Sequence, residues 1–157
     1  MSEDRVTKIY TDGACLGNPG PGGWGAVVLD DRERRELSGG YGLTTNNRME
    51  MLAVVEALSL LPDRSVVELY TDSKYIHDAV EKGWLAKWKR NGWRTADKKA
   101  VKNQDLWLRM DALLQTHDVS FYWVRGHSGN PENECCDRLA SAAAQGNNLL
   151  KDAGYVR

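Results

Sequence analysis

The sequence predicts a mixed α/β sheet with helices on both faces, and three observations carry that reading. A Tyr-Thr-Asp tripeptide closes two separate apolar runs, as Tyr10-Thr11-Asp12 and again as Tyr70-Thr71-Asp72. Between them lies a stretch of helix formers from Asn46 onward, long enough for a crossover between parallel strands. Two further helical patterns flank a last apolar run, so strands and helices alternate along the chain.

Residues 6–11 alternate in polarity and read as the first strand. Residues 13–25 hold six glycines and two prolines, which predicts a long shaped turn rather than regular structure. Residues 24–29 form the second strand, Asp30-Asp31-Arg32 a turn, and residues 34–41 the third strand, together an antiparallel meander. The crossover helix starts near Asn46 and stops at Pro62. It is apolar on most sides and should be buried, with Glu50 an unexpected acid in its first turns. Residues 66–71, rich in β-branched and aromatic side chains, are the fourth strand. A right-handed crossover lays it beside the first, so Asp12 and Asp72 meet at the carboxyl ends, where ligands of open α/β sheets collect.

Ser73 caps a short helix to about Glu81, and Asn103 caps another to about Thr116 with Leu106, Trp107, Met110, Leu113 and Leu114 on its inner face. Residues 119–124 are the fifth strand, and Trp107 and Trp123 are expected in the core. Asn130 with Pro131 opens a last helix to about Ala144; the polar residues that follow read as a tail.

With 157 residues, 41% hydrophobic and 27% charged, the chain has the make-up of one soluble domain. Its expected parts are a core at about 6–145, a basic protrusion at about 82–102 and a tail at about 146–157. Neither a signal peptide nor a membrane span is expected. Three cysteines, two of them adjacent as Cys135-Cys136, support no disulfide framework, so the expected compartment is a reducing cytoplasm. The net charge of −1 conceals an asymmetry: residues 82–102 carry eight basic residues against one acid, Asp97. That window holds +7 and the remainder −8, a polarity that suits a polyanion partner.

Glu50 on the buried helix, and Asp137 in the last helix after Gly126-His127-Ser128-Gly129, come within reach of the Asp12–Asp72 crevice. Taken singly, each acid could answer a neighbouring arginine, Arg48 or Arg138. Four acids converging on one strand-end crevice instead make an oxygen-lined site for two hard cations about 3.5–4 Å apart, which serves phosphoryl transfer.

Thr11-Asp12-Gly13, the segment from Cys15 to Gly23, Thr44-Thr45-Asn46-Asn47-Arg48-Met49-Glu50, Thr71-Asp72-Ser73, and Gly126-His127-Ser128-Gly129 with Asn133-Glu134 and Asp137 together resemble bacterial ribonuclease H of type 1. The likeness spans about residues 6 to 155. It implies the ribonuclease H-like fold, a five-stranded sheet of order 3-2-1-4-5. It implies an endonuclease that hydrolyses the RNA strand of RNA/DNA hybrids by two-metal-ion chemistry, leaving 5′-phosphate and 3′-hydroxyl ends. Asp12, Glu50, Asp72 and Asp137 would hold two Mg2+ ions, with Mn2+ as an alternative, and Asp12 would bridge them. Glu50 would also accept a hydrogen bond from the ribose 2′-hydroxyl, the group that separates RNA from DNA. His127 would assist proton transfer or product departure.

The resemblance further sets Cys15, Asn18 and Asn46 at the RNA minor groove, and Thr45 and Asn103 on a DNA phosphate. In the protrusion, Trp84 and Trp88 share a helical face for deoxyriboses, while Lys87, Lys89 and Arg90 meet phosphates. Two departures stand out. Leu43 replaces an arginine that many relatives place beside the phosphate pocket, and Lys74 replaces a glutamine, adding a cation beside the RNA path. The expected state is a monomer bound to a hybrid duplex, without membrane contact or a separate N-terminal hybrid-binding domain. Other functions on such a chain are a non-catalytic hybrid-binding module or a transposase- or integrase-like DNA nuclease; the first would lack one of the acids.

Overall fold

The computed structural model describes residues 6–125 and 130–155. The strands β1 (Thr7–Cys15), β2 (Gly20–Leu29), β3 (Arg34–Thr44), β4 (Val66–Thr71) and β5 (Asp118–Trp123) form one sheet in the order β3-β2-β1-β4-β5. The first three make the expected antiparallel meander, and β4 and β5 join in parallel. The parallel register sets Tyr10 beside Tyr70 and Thr11 beside Thr71, so the repeated tripeptide lies side by side in space. The two tyrosine rings stack at 4.7 Å, and Tyr122 of β5 continues the stack at 5.2 Å.

The helices are α1 (Asn46–Ser59), α2 (Lys74–Glu81), α3 (Trp84–Arg90), α4 (Gln104–Thr116) and α5 (Pro131–Ala144). Helix α1 packs against β1 and β2 and is covered by α4, which explains why it is buried on most sides. This side holds the larger core, where Ile9, Leu69, Met51, Val54, Trp107 and Met110 are buried. On the other face α5 lies over β1, β2 and β3 with a smaller core of Val27, Cys135 and Cys136. Ser73 caps α2 and Asn130 caps α5 through their side-chain oxygens, as the sequence predicts.

The glycine-rich stretch expected to be a turn is mostly strand: β1 runs to Cys15 and β2 begins at Gly20. The glycines serve close approach. A Cβ on Gly25 would stand 2.5 Å from the carbonyl oxygen of Cys136, and one on Gly23 2.6 Å from the backbone nitrogen of Ala144. Helix α5 therefore rests directly on sheet backbone.

The segment after α5, expected as a tail, docks against the body. Leu150 pairs with the edge of β3 through Gly42 N–H to Leu150 O (2.9 Å) and Leu150 N–H to Gly40 O (3.0 Å). Asp152 then reaches the buried Arg48. The basic protrusion is likewise anchored. Trp88 packs at 5.5 Å from the ring of Trp107, Trp93 N–H donates to Trp88 O, and Val101 is buried beneath. Among the described residues no helix is long and apolar enough to cross a membrane.

Candidate active site

Asp12 and Asp72 stand just past the end of the parallel pairing of β1 with β4, although β1 itself continues along β2 to Cys15, and Glu50 reaches them from the first turns of α1. The close approach of α1 depends on Gly13, where a Cβ would lie 2.5 Å from the Glu50 nitrogen and 2.7 Å from the Met49 carbonyl carbon. One ligand oxygen from each of the three acids falls within 4.8 Å of the others. Asp12 is 6% exposed and Glu50 5%, and Oε2 of Glu50 is buried without a hydrogen-bond partner among the described residues.

Burial, then the charge of Asp72, raises the Asp12 carboxyl to about 7. Burial, then the charges of Asp12 and Asp72, holds Glu50 well above the usual carboxylate range. The two carboxyls also share a hydrogen bond. The site is thus a low-dielectric pocket carrying more negative charge than it can hold ionised, the condition under which a divalent cation is favoured. Asp137, on α5, is near enough for its charge to raise Asp12 further but stands outside the compact triad. His127 lies outside the described residues.

The alternative pairing of Glu50 with Arg48 does not occur. The Arg48 guanidinium turns away from the crevice to Asp105 and Asp152. Sequence reasoning missed this network because the partners lie 57 and 104 residues away.

Around the acids, Asn18 accepts from the Asn46 backbone N–H (3.1 Å), which ties the β1–β2 turn to the start of α1. The Cys15 thiol sits 3.5 Å from the carbonyl oxygens of Gly20 and Thr44. Thr45 caps α1, its hydroxyl accepting from Arg48 N–H, and lines one cavity with Asn18 and Asn103. Asn18, Thr45 and Asn103 thus line one cavity, with Cys15 held against the Thr44 carbonyl and Asn46 against the Asn18 side chain. Farther out, Trp84 is exposed whereas Trp88 is half-buried on Trp107, so only part of its indole surface is open. Lys87 and Arg90 are exposed, and Lys89 pairs with Asp111 of α4 at 3.0 Å.

Trp123, expected in the core, is 41% exposed, because β5 is the sheet's last strand and has no neighbour on its outer side. Its indole N–H donates to the Asp72 carbonyl oxygen (3.2 Å), and the Lys74 ammonium lies 5.3 Å from its ring centre. Lys74 is therefore linked, through the Trp123 ring, to the backbone of Asp72, two residues before it in sequence.

The family model for RNase H matches residues 4–145. The chain is 63% identical over 151 residues to Ribonuclease H of Nitratidesulfovibrio vulgaris (strain Miyazaki F), covering 96% of this chain and 97% of that protein. Its fold is similar to the crystal structure of LC9-RNase H1, a type 1 RNase H with the type 2 active-site motif. That match has a TM-score of 0.79 and 35% identity, over 89% of this chain and 72% of that one. LC11-RNase H1, solved in complex with RNA/DNA hybrid, shares the fold at a TM-score of 0.62 and 24% identity, over 88% of this chain and 96% of that one. A family match over most of the length, a strand order of 3-2-1-4-5 and acids gathered at the ends of the central strands lead to one conclusion: the chain belongs to the ribonuclease H family.

Proposed function

We propose that this chain hydrolyses the RNA strand of RNA/DNA hybrids at the four-acid crevice, with two Mg2+ ions held by Asp12, Glu50, Asp72 and Asp137. The observation that carries this reading is the set of three convergent carboxylates, two of them buried and one with an orphaned oxygen. Hard divalent cations suit such oxygen ligands. When bound, they supply the Lewis acidity and the activated water that phosphodiester cleavage needs.

The chain's own residues do the rest. Asp12, central to the group, orients its carboxylate through the Gly13 N–H (2.9 Å). Glu50 offers an acceptor to the ribose 2′-hydroxyl and so selects RNA at the cut. Asn18, Asn46 and Cys15 line the RNA minor groove, while Thr45 and Asn103 receive a DNA phosphate. His127 moves a proton or aids product departure. Trp84, the open part of Trp88, and the cations Lys74, Lys87, Lys89 and Arg90 hold the duplex from the side. The enzyme acts as a single-domain monomer in the cytoplasm.

A gel assay on hybrid, duplex DNA and duplex RNA tests the assignment. Cleavage of the RNA strand of hybrid alone, with Mg2+ and not after chelation, is expected. Binding without cleavage would mark a silent module, and cleavage of duplex DNA a DNA nuclease on the same fold.

The protrusion should contribute affinity rather than chemistry. Each phosphate contact carries a salt slope of about −0.7 to −0.9, so replacing Lys87, Lys89 and Arg90 by Ala should raise KM and flatten the slope by up to about one unit per lost contact. Because Lys89 is already paired with Asp111, Lys89→Ala alone should flatten it least. Unchanged KM and slope in the triple variant would make the protrusion a solvated face.

A further inference from the structure

Arg48 is 2% exposed, and its guanidinium is gripped from two sides. Nε and Nη2 donate to Asp152 at 2.7 and 3.0 Å, and Nη1 and Nη2 donate to Asp105 at 2.9 and 2.7 Å. The Thr44 hydroxyl also donates to Asp152, at 2.6 Å. Two carboxylates more than neutralise one guanidinium, so Arg48 has no net charge to offer a phosphate. It has one further contact: Nη1 lies 3.4 Å from Oδ1 of Asn103.

Asn103 precedes α4 in the left-handed region (φ 62°, ψ 30°), and its side chain makes no capping hydrogen bond. A guanidinium can only donate. Its contact therefore fixes which way the Asn103 amide faces, with the oxygen towards Arg48 and both N–H donors left for another partner. Asn103 and Thr45 line a cavity of about 810 Å3 whose wall includes Gly154 and Tyr155. The backbone of the C-terminal segment rests directly on the ion cluster, since a Cβ on Gly154 would stand 2.7 Å from Arg48 Nη2.

We infer that the C-terminal segment takes part in recognition of the DNA strand, with Asp152 as a positioning residue that acts through Arg48 to aim the Asn103 amide donors at a phosphate beside Thr45. This rests on the assignment of Thr45 and Asn103 to the DNA phosphate. Thr45 and Asn103 offer neutral donors only, and with Arg48 neutralised the remaining cation of this wall is Lys102. Neutral donors bind an anion only along their N–H or O–H directions, so their aim sets what they add to the charge of Lys102.

The test is steady-state cleavage of hybrid, well below each variant's melting temperature. The variants are Asn103→Ala, Asp152→Asn, and the two combined. Asp152→Asn should raise KM about fivefold, the low end of coupling between sites, with kcat near the parent value. Added to Asn103→Ala, it should raise KM much less, because the residue through which it acts is already gone. Gly154→Ala keeps every charge but displaces Asp105 and Arg48, and should raise KM in the same way if Asp152→Asn folds poorly.

A lowered melting temperature with unchanged KM would overturn the inference, leaving the network a staple. So would a loss confined to kcat, which would mean that the network serves Glu50. If Asn103→Ala raises KM and Asp152→Asn does not, the inference alone fails. If Asn103→Ala itself leaves KM unchanged, the phosphate-pocket assignment fails and the inference falls with it.

Discussion

We expect Asp12→Asn to lose hybrid cleavage by about a thousandfold or more while retaining hybrid binding and gaining thermal stability. The substitution keeps shape and removes one charge from the centre of the cation site. Transition-state charge stabilisation by bound cations is worth several kcal/mol, and each 1.36 kcal/mol is a factor of ten in rate. Stability moves the other way because Asp12 and Glu50 are buried beside each other and Asp72. Their carboxyls are raised in the folded state. Without metal, their stabilising contribution is fully present below the unfolded carboxyl values near 4 and is lost as pH rises through about 7, where the native site must shed protons it holds more tightly than the unfolded chain does.

Asp12→Asn removes part of that loss. Melting of the metal-free variant at pH 7 to 8 should exceed that of the parent, by about 2–4 °C for each kcal/mol relieved, and the difference should shrink towards pH 4. Saturating divalent cation should narrow the gap from the other side by stabilising the parent preferentially. Substantial cleavage by Asp12→Asn would sink the metal assignment. A stability gain that did not depend on pH would sink the electrostatic account of it.

Gly13→Ala should be nearly as damaging, although it changes no charge and adds one methyl group. That methyl would stand 2.5 Å from the backbone nitrogen of Glu50 and 2.7 Å from the Met49 carbonyl carbon. Backbone atoms of a buried helix cannot step aside as a flexible side chain can, so α1 must retreat from β1 or the strand must bend. Overpacking of this kind costs about 1–3 kcal/mol. The retreat also carries Glu50 away from Asp12 and Asp72, and a displacement of about 1 Å can cost about a hundredfold in rate. Circular dichroism melting should show the first effect and cleavage at saturating hybrid the second. Parental kcat would mean that the site tolerates movement of α1 and that Glu50 is not held by this contact.

Much of the site is legible in the sequence because its parts obey local rules. The doubled Tyr-Thr-Asp marks the end of β4 and the end of its pairing with β1, which itself runs on to Cys15; crossover handedness places the two side by side, and the register of β1 with β4 aligns them residue for residue. Glu50 stands out as an acid in the first turns of a helix that is apolar on most sides, and the caps Ser73 and Asn130 declare their helices. What misled was composition taken as conformation. Glycines at 20, 22, 23 and 25 look like a turn, yet they lie in β2, where residues 23 and 25 are bare so that α5 can lie on the strand. Trp123 looks like core by type, yet its strand is the outermost of the sheet.

By itself the sequence determined the order of elements, the meeting of Asp12, Glu50 and Asp72, and the charge asymmetry, because these follow from periodicity, handedness and counting. Only the tertiary structure decided which partner each charge found. Arg48 chose Asp105 and Asp152 over Glu50, Lys89 was drawn to Asp111, and the C-terminal segment became a wall of the Asn103 cavity. Ion pairing depends on separations of about 3 Å between groups far apart along the chain, and only a finished fold sets distances on that scale.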